Sequence, residues 1–302
     1  MRRWTMYDVI VVGASFAGLS AAMQLARARR KLLVIDAGAP RNRFAEAAHG
    51  FLGQDGVAPA TIMRTGLNQL SAYPSVEFAG GLATRAWGRI DGFRVELDDG
   101  VELAARRLIL ATGVRDALPD LPGLAERWGK SVLHCPYCHG YELNRGPLGL
   151  LGGDPALALK AGLIAEWGPT TLFLQGGPAP DAETAAKLAA RGVAIEASPI
   201  AQLVGEAPRL SAARLADGRE IALAGLFVAP RTSPASPLAE QLGCVFEDGM
   251  TGPYVQVDGK QQTSIAGVYA AGDLAMQMHN GTLAAAAGAM AGFGTHQSLL
   301  GL

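Results

Sequence analysis

The sequence has little cysteine, no excess of charge of either sign and no long apolar run. Three cysteines in 302 residues are too few for the disulfide framework of a secreted scaffold. A net charge of −1 without a basic run argues against a nucleic-acid or anionic-membrane partner. The run "LAAAAGAMAGFG" is too short to span a bilayer, and the N-terminus shows no export signal. We therefore predict a cytoplasmic protein with no membrane or nucleic-acid partner.

Glycine, in contrast, is abundant, and the first glycine turn follows a buried strand. The 39 glycines suggest tight turns and close approach of backbone to ligands. "DVIVVGASFAGLSAA" predicts a strand, the turn Gly13-x-Ser15-x-x-Gly18 and an alanine-rich helix. A second strand ends at Asp36, where an acid that binds a ribose is expected. A small residue at position 15 still lets a pyrophosphate approach the backbone, so we predict a dinucleotide site.

The strand–glycine–helix–strand plan occurs a second time, inside the first. "RRLILATG" is another buried strand and leads into a proline-rich exit, after which "GPLGLLGGDPALALKAGLIAEWGPTTLFLQGG" repeats the plan. The strand "SIAGVYAAGD" and a last helix follow a second proline-rich stretch. We predict an α/β protein with two Rossmann-like three-layer domains. The first comprises residues 1–116 and 235–302, and the inserted second domain comprises residues 117–234.

"HCPYCHGYE", residues 134–142, places two of the three cysteines three positions apart. Such a pair can be a redox dithiol, half of a metal site or a structural staple. A closed zinc site needs four ligands, but Cys244 stands alone, so we expect no metal. A purely structural disulfide is disfavoured because the short loop that it would close constrains the unfolded chain very little.

Taken together, these motifs identify a known family. "VVGASFAGLSAA", "ILATG", "CPYC" and "GVYAAGD", in this order, resemble the low-molecular-weight thioredoxin reductase family of FAD-dependent disulfide oxidoreductases over essentially the whole chain. "HCPYCHGYE" is most similar to the branch that includes the gliotoxin- and holomycin-forming dithiol oxidases.

The resemblance implies FAD and a set of residues that hold it. The pyrophosphate would lie on the first glycine turn, the adenosine ribose on Asp36, and the ribityl chain on Asp273. The start of the last helix, near Thr282, would point its positive end at the flavin. Arg41 or Asn42 would also lie near the cofactor, unless "PRNR" is only a solvated loop. The full predicted set is Gly13, Ser15, Gly18, Asp36, Gln54, Thr112, Gly113, Gly272, Asp273 and Thr282.

The resemblance also assigns roles around the cysteines. Cys138 would meet the flavin, and Cys135 would exchange with substrate sulfur. His139 replaces the aspartate that serves as general acid in thioredoxin reductases, and histidine can exchange protons near neutral pH. We therefore expect His139 to be the base. His134 and Glu142 are candidate helpers, but a capping or surface role is favoured for both. The remaining histidines, at positions 49, 279 and 296, are expected to be structural or solvent-facing, although His279 lies close to the flavin segment.

The second glycine turn departs from the family at the nicotinamide site. The fingerprint begins with Leu151 instead of glycine, and Pro155 removes an N–H that could face a phosphate. Gln175, Gly176 and Gly177 stand where the family places two arginines on the 2′-phosphate. NADPH binding is therefore not favoured.

These observations favour oxidation of a dithiol to its disulfide, with electrons passing from the cysteine pair to FAD and then to oxygen. An NADPH-dependent or ferredoxin-dependent thioredoxin reductase and an FAD-binding regulatory protein remain alternatives. The partner would be a small-molecule, peptide or thioredoxin-like dithiol or disulfide. The family forms homodimers, and we expect one here.

Overall fold

The structure is a computed structural model that describes residues 6–152 and 157–302. The chain divides into two compact units. Unit 1 contains the described residues up to Arg43, together with Phe51–Asp116 and Thr232–Leu302. Unit 2 contains Phe44–Gly50 and Ala117–Arg231.

Seven helices and nineteen strands are assigned in the described ranges. The helices are α1 (Phe16–Arg27), α2 (Pro59–Ser71), α3 (Pro136–His139), α4 (Ala158–Ile164), α5 (Ala182–Ala190), α6 (Leu238–Gln241) and α7 (Gly281–Leu299). The strands up to the middle of the chain are β1 (Met6–Val12), β2 (Leu32–Asp36), β3 (Val76–Gly80), β4 (Ala83–Trp87), β5 (Phe93–Leu97), β6 (Glu102–Leu110), β7 (Val114–Ala117), β8 (Val132–Leu133) and β9 (Leu148–Leu151). The remaining strands are β10 (Thr170–Phe173), β11 (Ala194–Glu196), β12 (Ile200–Val204), β13 (Ala212–Leu215), β14 (Glu220–Ala222), β15 (Gly225–Val228), β16 (Arg231–Pro234), β17 (Phe246–Gly249), β18 (Gly252–Val255) and β19 (Val268–Ala270).

The sheet of unit 1 is parallel at its centre. Strands β3, β2, β1 and β6 lie side by side in parallel. The other edge of β6 pairs with the antiparallel β5 near its start and with the parallel β19 near its end. The carboxyl ends of β1, β2, β6 and β19 therefore meet at one edge, where ligands bind in open α/β sheets.

Both faces of this sheet are covered, as the apolar run in β1 predicts. Val9 and Val11 pack under α1 and α7, whereas Ile10 and Val12 face a second apolar layer that includes residues of α6 and β18. Helices α1 and α7 pack very closely, because a Cβ at Gly288 would lie 2.0 Å from the Ala17 carbonyl oxygen. The predicted three-layer α/β fold is confirmed for this unit.

Unit 2 has its own parallel sheet, with strand order β11-β10-β9-β15-β8. A three-stranded antiparallel sheet, β12-β13-β14, adjoins it in the chain and shares an apolar core with β15. Helices α4 and α5 pack on the parallel sheet through a separate apolar cluster. The two units thus have the same α/β plan, with the second carried inside the sequence of the first.

The two compact units differ from the predicted domains in two places. The predicted second domain ends at residue 234, whereas unit 2 ends at Arg231, and the predicted first domain contains all of residues 1–116, whereas Phe44–Gly50 belongs to unit 2. The reason is local packing: Phe44 fits against Gly129, and Glu46 forms an ion pair with Lys130 at 2.7 Å. A segment of this length has no periodic pattern from which its place in unit 2 could be predicted.

Candidate active site

The cysteine pair lies on a single helical turn of unit 2. Pro136 begins α3, where its fixed φ favours a helix start, and Cys135 stands at the N-cap position in extended conformation. The turn brings Cys138 to the same side as Cys135, at a spacing that a disulfide can bridge. Both thiols are free and partly buried in this structure.

The two thiols are electronically unequal. The Cys138 thiol donates a hydrogen bond to the Cys135 sulfur, which together with the N–H groups of Cys138 and Tyr137 lowers the pKa of Cys135 to about 7. The same hydrogen bond and burial raise the pKa of Cys138. Cys135 is therefore the thiolate of the reduced pair, and thiolates are the nucleophiles and leaving groups of disulfide exchange.

His139 follows the pair and presents an imidazole with buried nitrogens. Within the described ranges, neither Nδ1 nor Nε2 has a hydrogen-bond partner of ordinary geometry. Burial lowers the pKa of His139, although the Glu142 carboxylate acts in the opposite direction. A neutral imidazole of this kind can accept a proton near neutral pH.

A second histidine, His49, comes near the pair from a distant part of the sequence. Its Nε2 lies 3.5 Å from a carboxylate oxygen of Glu142. Glu142 is exposed, as expected of a surface residue, and His49 is partly buried. Both nevertheless act electrostatically on the pKa of His139. Sequence reasoning missed this group because segment 44–50 joins unit 2 only through tertiary packing.

Lys160, on α4, also approaches the cysteines and was not identified from sequence. Its Nζ donates to the backbone carbonyl of His134 at 3.0 Å, and its charge acts on the Cys135 sulfur. The His134 ring lies 6.1 Å from the Trp128 ring, centroid to centroid. The one available signal was a lysine inside the otherwise apolar stretch "ALALKAGLI".

In unit 1, the first glycine turn has the compact geometry that the motif predicts. Gly13 has a φ of +103°, and a Cβ at Gly18 would lie 1.7 Å from the Gly13 carbonyl oxygen. Ser15 stands at the N-cap of α1 without using its side chain to cap it. The turn and the N-terminus of α1 therefore leave backbone N–H groups for an anionic ligand.

Asp36 lies beside this turn and helps to hold it. Its two carboxylate oxygens accept from the Ala14 N–H at 2.9 Å and the Gly38 N–H at 3.0 Å. A groove of about 560 Å³, lined in part by Ala14, Asp36 and Gly38, opens next to it. An acid and small residues around an open groove fit the adenosine end of a dinucleotide.

Asp273, the predicted ribityl ligand, is held by an arginine. Arg41 Nη1 donates to Asp273 Oδ2 at 2.7 Å, and Arg41 Nε donates to Asp116 Oδ2 at 2.8 Å. The guanidinium thus fixes Asp273 in place through charge-assisted bonds. Arg41 is no part of a solvated loop. Next to it, the Oδ1 atom of Asn42 is buried and lacks a partner among the described residues.

The other predicted cofactor residues lie at turns and helix starts in unit 1. Thr112 and Gly113 follow β6, Gly272 begins a short 3₁₀ turn, and Gln54 lies in the turn before α2. The Thr282 N–H already donates to the side chain of Asn280, the N-cap of α7. The N-terminus of α7 is therefore capped by the side chain of Asn280.

Residues 175–177, where the resemblance places the 2′-phosphate of a nicotinamide, include no cation. Leu151 ends β9, while Pro155 and its neighbours at 153–156 lie outside the described residues. The Gln175 side chain accepts from Ile200 N–H at 2.9 Å and donates to the Ile200 carbonyl at 3.0 Å. Gln175 is thus committed to holding β12, and the glycines at 176 and 177 supply no charge.

No helix in the described ranges has the length and apolar character needed to cross a membrane. No three His, Cys, Asp or Glu side chains there converge on a position that could hold a metal ion.

Comparison with known proteins gives matches along nearly the whole chain. A family model described as pyridine nucleotide-disulphide oxidoreductase matches residues 7–291. Thioredoxin reductase tcpT of Claviceps purpurea is 33% identical over 296 residues, covering 94% of this chain and 92% of its own length. The crystal structure of an oxidoreductase from Agrobacterium tumefaciens has a TM-score of 0.94 and 47% identity, covering 98% of this chain and 99% of that one. The crystal structure of HlmI has a TM-score of 0.90 and 39% identity, covering 98% of this chain and 93% of that one.

These matches confirm the resemblance drawn from the motifs. Enzymes of this family combine a flavin with a pyridine nucleotide to form or break disulfides. With its reactive cysteine pair and its two α/β units, the chain belongs to the pyridine nucleotide-disulphide oxidoreductase family, as a thioredoxin reductase-like enzyme.

Proposed function

We propose that the protein oxidises a dithiol substrate to its disulfide, with FAD as cofactor and oxygen as electron acceptor. The observation that carries this direction is the engagement of Gln175 with the backbone of Ile200, where a cation would be needed to hold NADPH. Without that donor, the electrons have to come from the thiol substrate. The similarity to tcpT, which is named a thioredoxin reductase, supports exchange between a dithiol and a disulfide without favouring either direction.

The residues of unit 1 fit FAD. The turn Gly13–Gly18 would hold the pyrophosphate, Asp36 the adenosine ribose, and Asp273, fixed by Arg41, the ribityl chain. The buried, unpartnered Oδ1 of Asn42 offers a further acceptor. When bound, FAD supplies a two-electron acceptor for the cysteine pair and passes the electrons to oxygen.

The cysteines carry out the exchange. A substrate thiolate attacks the Cys135 sulfur of the Cys135–Cys138 disulfide, forming a mixed disulfide and releasing Cys138 as the leaving thiolate. The second thiol of the substrate then attacks the substrate sulfur of this mixed disulfide. The substrate disulfide forms, and Cys135 is released as a thiolate. A low leaving-group pKa speeds this second step, which suits the depressed pKa of Cys135.

His139 handles the protons. Its neutral imidazole accepts a proton from a substrate thiol and can return it to the reduced pair. Two electrons and two protons leave the substrate in each cycle. The sum of the cycle is a dithiol plus oxygen giving a disulfide plus hydrogen peroxide.

We also propose that the enzyme acts in the cytoplasm as a homodimer. The low cysteine content supports the compartment. The family resemblance supports the dimer, which sedimentation of the purified flavoprotein would test.

Oxygen consumption measured against several small dithiols, with NADPH oxidation followed in parallel, tests the direction. We expect oxygen uptake with a dithiol and equimolar peroxide, without added nicotinamide. Rapid bleaching of the flavin on anaerobic mixing with NADPH would overturn this direction in favour of a thioredoxin reductase. Flavin bleaching by reduced ferredoxin, with no response to dithiols, would indicate a ferredoxin-dependent reductase. Flavin binding without turnover under any of these conditions would favour a regulatory protein.

A further inference from the structure

Lys160 is a half-buried cation that lies against the cysteine pair. It sits in the first turn of α4, between the buried Ala158 and Ala161, and its Nζ reaches the His134 carbonyl at 3.0 Å. In the part of the chain that the structure describes, no carboxylate forms an ion pair with Lys160. A partly desolvated ammonium without a carboxylate is costly unless another anion compensates it.

Among the described residues, the one charge that acts on the pKa of this ammonium is the Cys135 thiolate, and Cys135 directly follows His134, whose carbonyl Lys160 contacts. The charge of Lys160 favours the thiolate form of Cys135, and the thiolate in turn opposes the effect of burial on the pKa of Lys160. The other titratable groups around the pair act differently. Cys138 acts as a neutral donor to Cys135, and burial keeps His139 neutral. The Glu142 carboxylate is paired with His49, and His134 approaches Lys160 through its backbone carbonyl.

We propose that Lys160 is a positioning residue that stabilises the Cys135 thiolate electrostatically and thereby makes the Cys135–Cys138 disulfide a stronger oxidant. A disulfide becomes more oxidising when its reduced form is stabilised. This inference rests on the proposed function, because an oxidising pair draws electrons from a dithiol substrate. It adds a residue from α4, a helix of the nicotinamide-like unit, to the sulfur chemistry.

The test uses the purified flavoprotein with three substitutions at one position. Lys160→Met removes both the charge and the hydrogen bond to His134, Lys160→Gln removes the charge but keeps a donor, and Lys160→Arg keeps both. The first measurement is the rate of iodoacetamide alkylation of Cys135 against pH, in anaerobically reduced protein, located by peptide mass spectrometry. The second is the fraction of Cys135–Cys138 disulfide at equilibrium with glutathione and glutathione disulfide without oxygen.

We expect the alkylation midpoint of Lys160→Met and Lys160→Gln to move to higher pH, with alkylation at pH 7 slowed roughly threefold to tenfold. In the glutathione equilibrium, both variants should retain more Cys135–Cys138 disulfide at a given ratio of glutathione to glutathione disulfide. The equilibrium constant should change by about threefold to tenfold, as the alkylation rate does. Lys160→Arg should stay close to the unmodified protein in both measurements.

Unchanged profiles in Lys160→Met and Lys160→Gln would overturn the proposal. A change in Lys160→Met that is absent in Lys160→Gln would also overturn it, because the hydrogen bond to His134 would then be the cause. Neither measurement depends on oxygen or on substrate turnover. A failure here is therefore distinct from a failure of the proposed oxidase activity, which oxygen consumption reports.

Discussion

Both units of this protein have a glycine directly after a buried parallel strand, but the residues at their sheet ends differ. In unit 1, the turn from Gly13 to Gly18 is supported by Asp36, and a groove opens beside it. In unit 2, the corresponding turn begins at Leu151, and the end of the next strand is closed by Gln175 bound to Ile200. The strands and helices of both units are built on apolar burial, so the fold of a βαβ unit does not depend on which residues stand at its ligand-binding end.

The largest expected effect separates the two turns directly. In Gly18→Ala, the added Cβ would meet the Gly13 carbonyl oxygen at 1.7 Å, so the turn has to open and we expect purified protein without flavin. In the matched variant Gly152→Ala, the nearest atom to the added Cβ is a flexible Leu172 side-chain carbon at 3.3 Å. That variant should keep its flavin. The ratio of visible to ultraviolet absorbance measures uptake, with circular dichroism as the control for folding. Full flavin content in Gly18→Ala would remove unit 1 as the cofactor site.

The next largest effect concerns the cysteine pair, which lies in unit 2. Cys138→Ser removes one sulfur of the pair, so no internal disulfide can form. We expect dithiol-dependent oxygen uptake to fall by about three orders of magnitude or more. Cys244→Ser is the matched control, because Cys244 is buried beside Thr263 in unit 1 and should be dispensable. Comparable losses in the two variants would contradict the assignment of the pair.

His139→Gln should have a smaller effect that depends on pH. Removing a general base costs about 10²-fold or more in rate. Burial lowers the pKa of His139, so the neutral, active form is present above that depressed pKa and is lost as pH falls through it. The rate of the unmodified enzyme should therefore decline on the acid side, and His139→Gln should lack this decline. A profile for kcat/KM over pH 5 to 8 measures it. If kcat/KM declined at low pH in the same way in both proteins, a residue other than His139 would carry out the proton transfer.

The smallest effect tests whether Gln175 is structural. Gln175→Ala removes two hydrogen bonds to Ile200, so the free energy of unfolding of unit 2 should fall by about 1–2 kcal/mol. Flavin content should not change, since the substitution lies in the other unit. Urea denaturation followed by tryptophan fluorescence measures the loss. An unchanged midpoint would mean that the side chain contributes nothing to the fold and would reopen position 175 to a ligand role.

Much of the fold and part of the site could be predicted from local patterns. Strand β1, the glycine turn, α1 and the acid at the end of β2 occur in a spacing typical of a dinucleotide-type βαβ unit. The reactive pair is equally local, since the turn of α3 sets the relation of Cys135 to Cys138. The role of Arg41 could not be read in this way, because its two carboxylate partners, Asp116 and Asp273, are far from it in the chain.

The sequence by itself determined the strand–turn–helix units and the closeness of Cys135 to Cys138, because each depends on residues within one or two turns of each other. Tertiary structure alone decided what surrounds the sulfurs and where segment 44–50 belongs. His49 reaches Glu142, and Lys160 reaches His134 beside Cys135, through packing between elements that are not neighbours in the chain. Electrostatic effects of this kind act through space and depend on burial, so the order of residues does not reveal them.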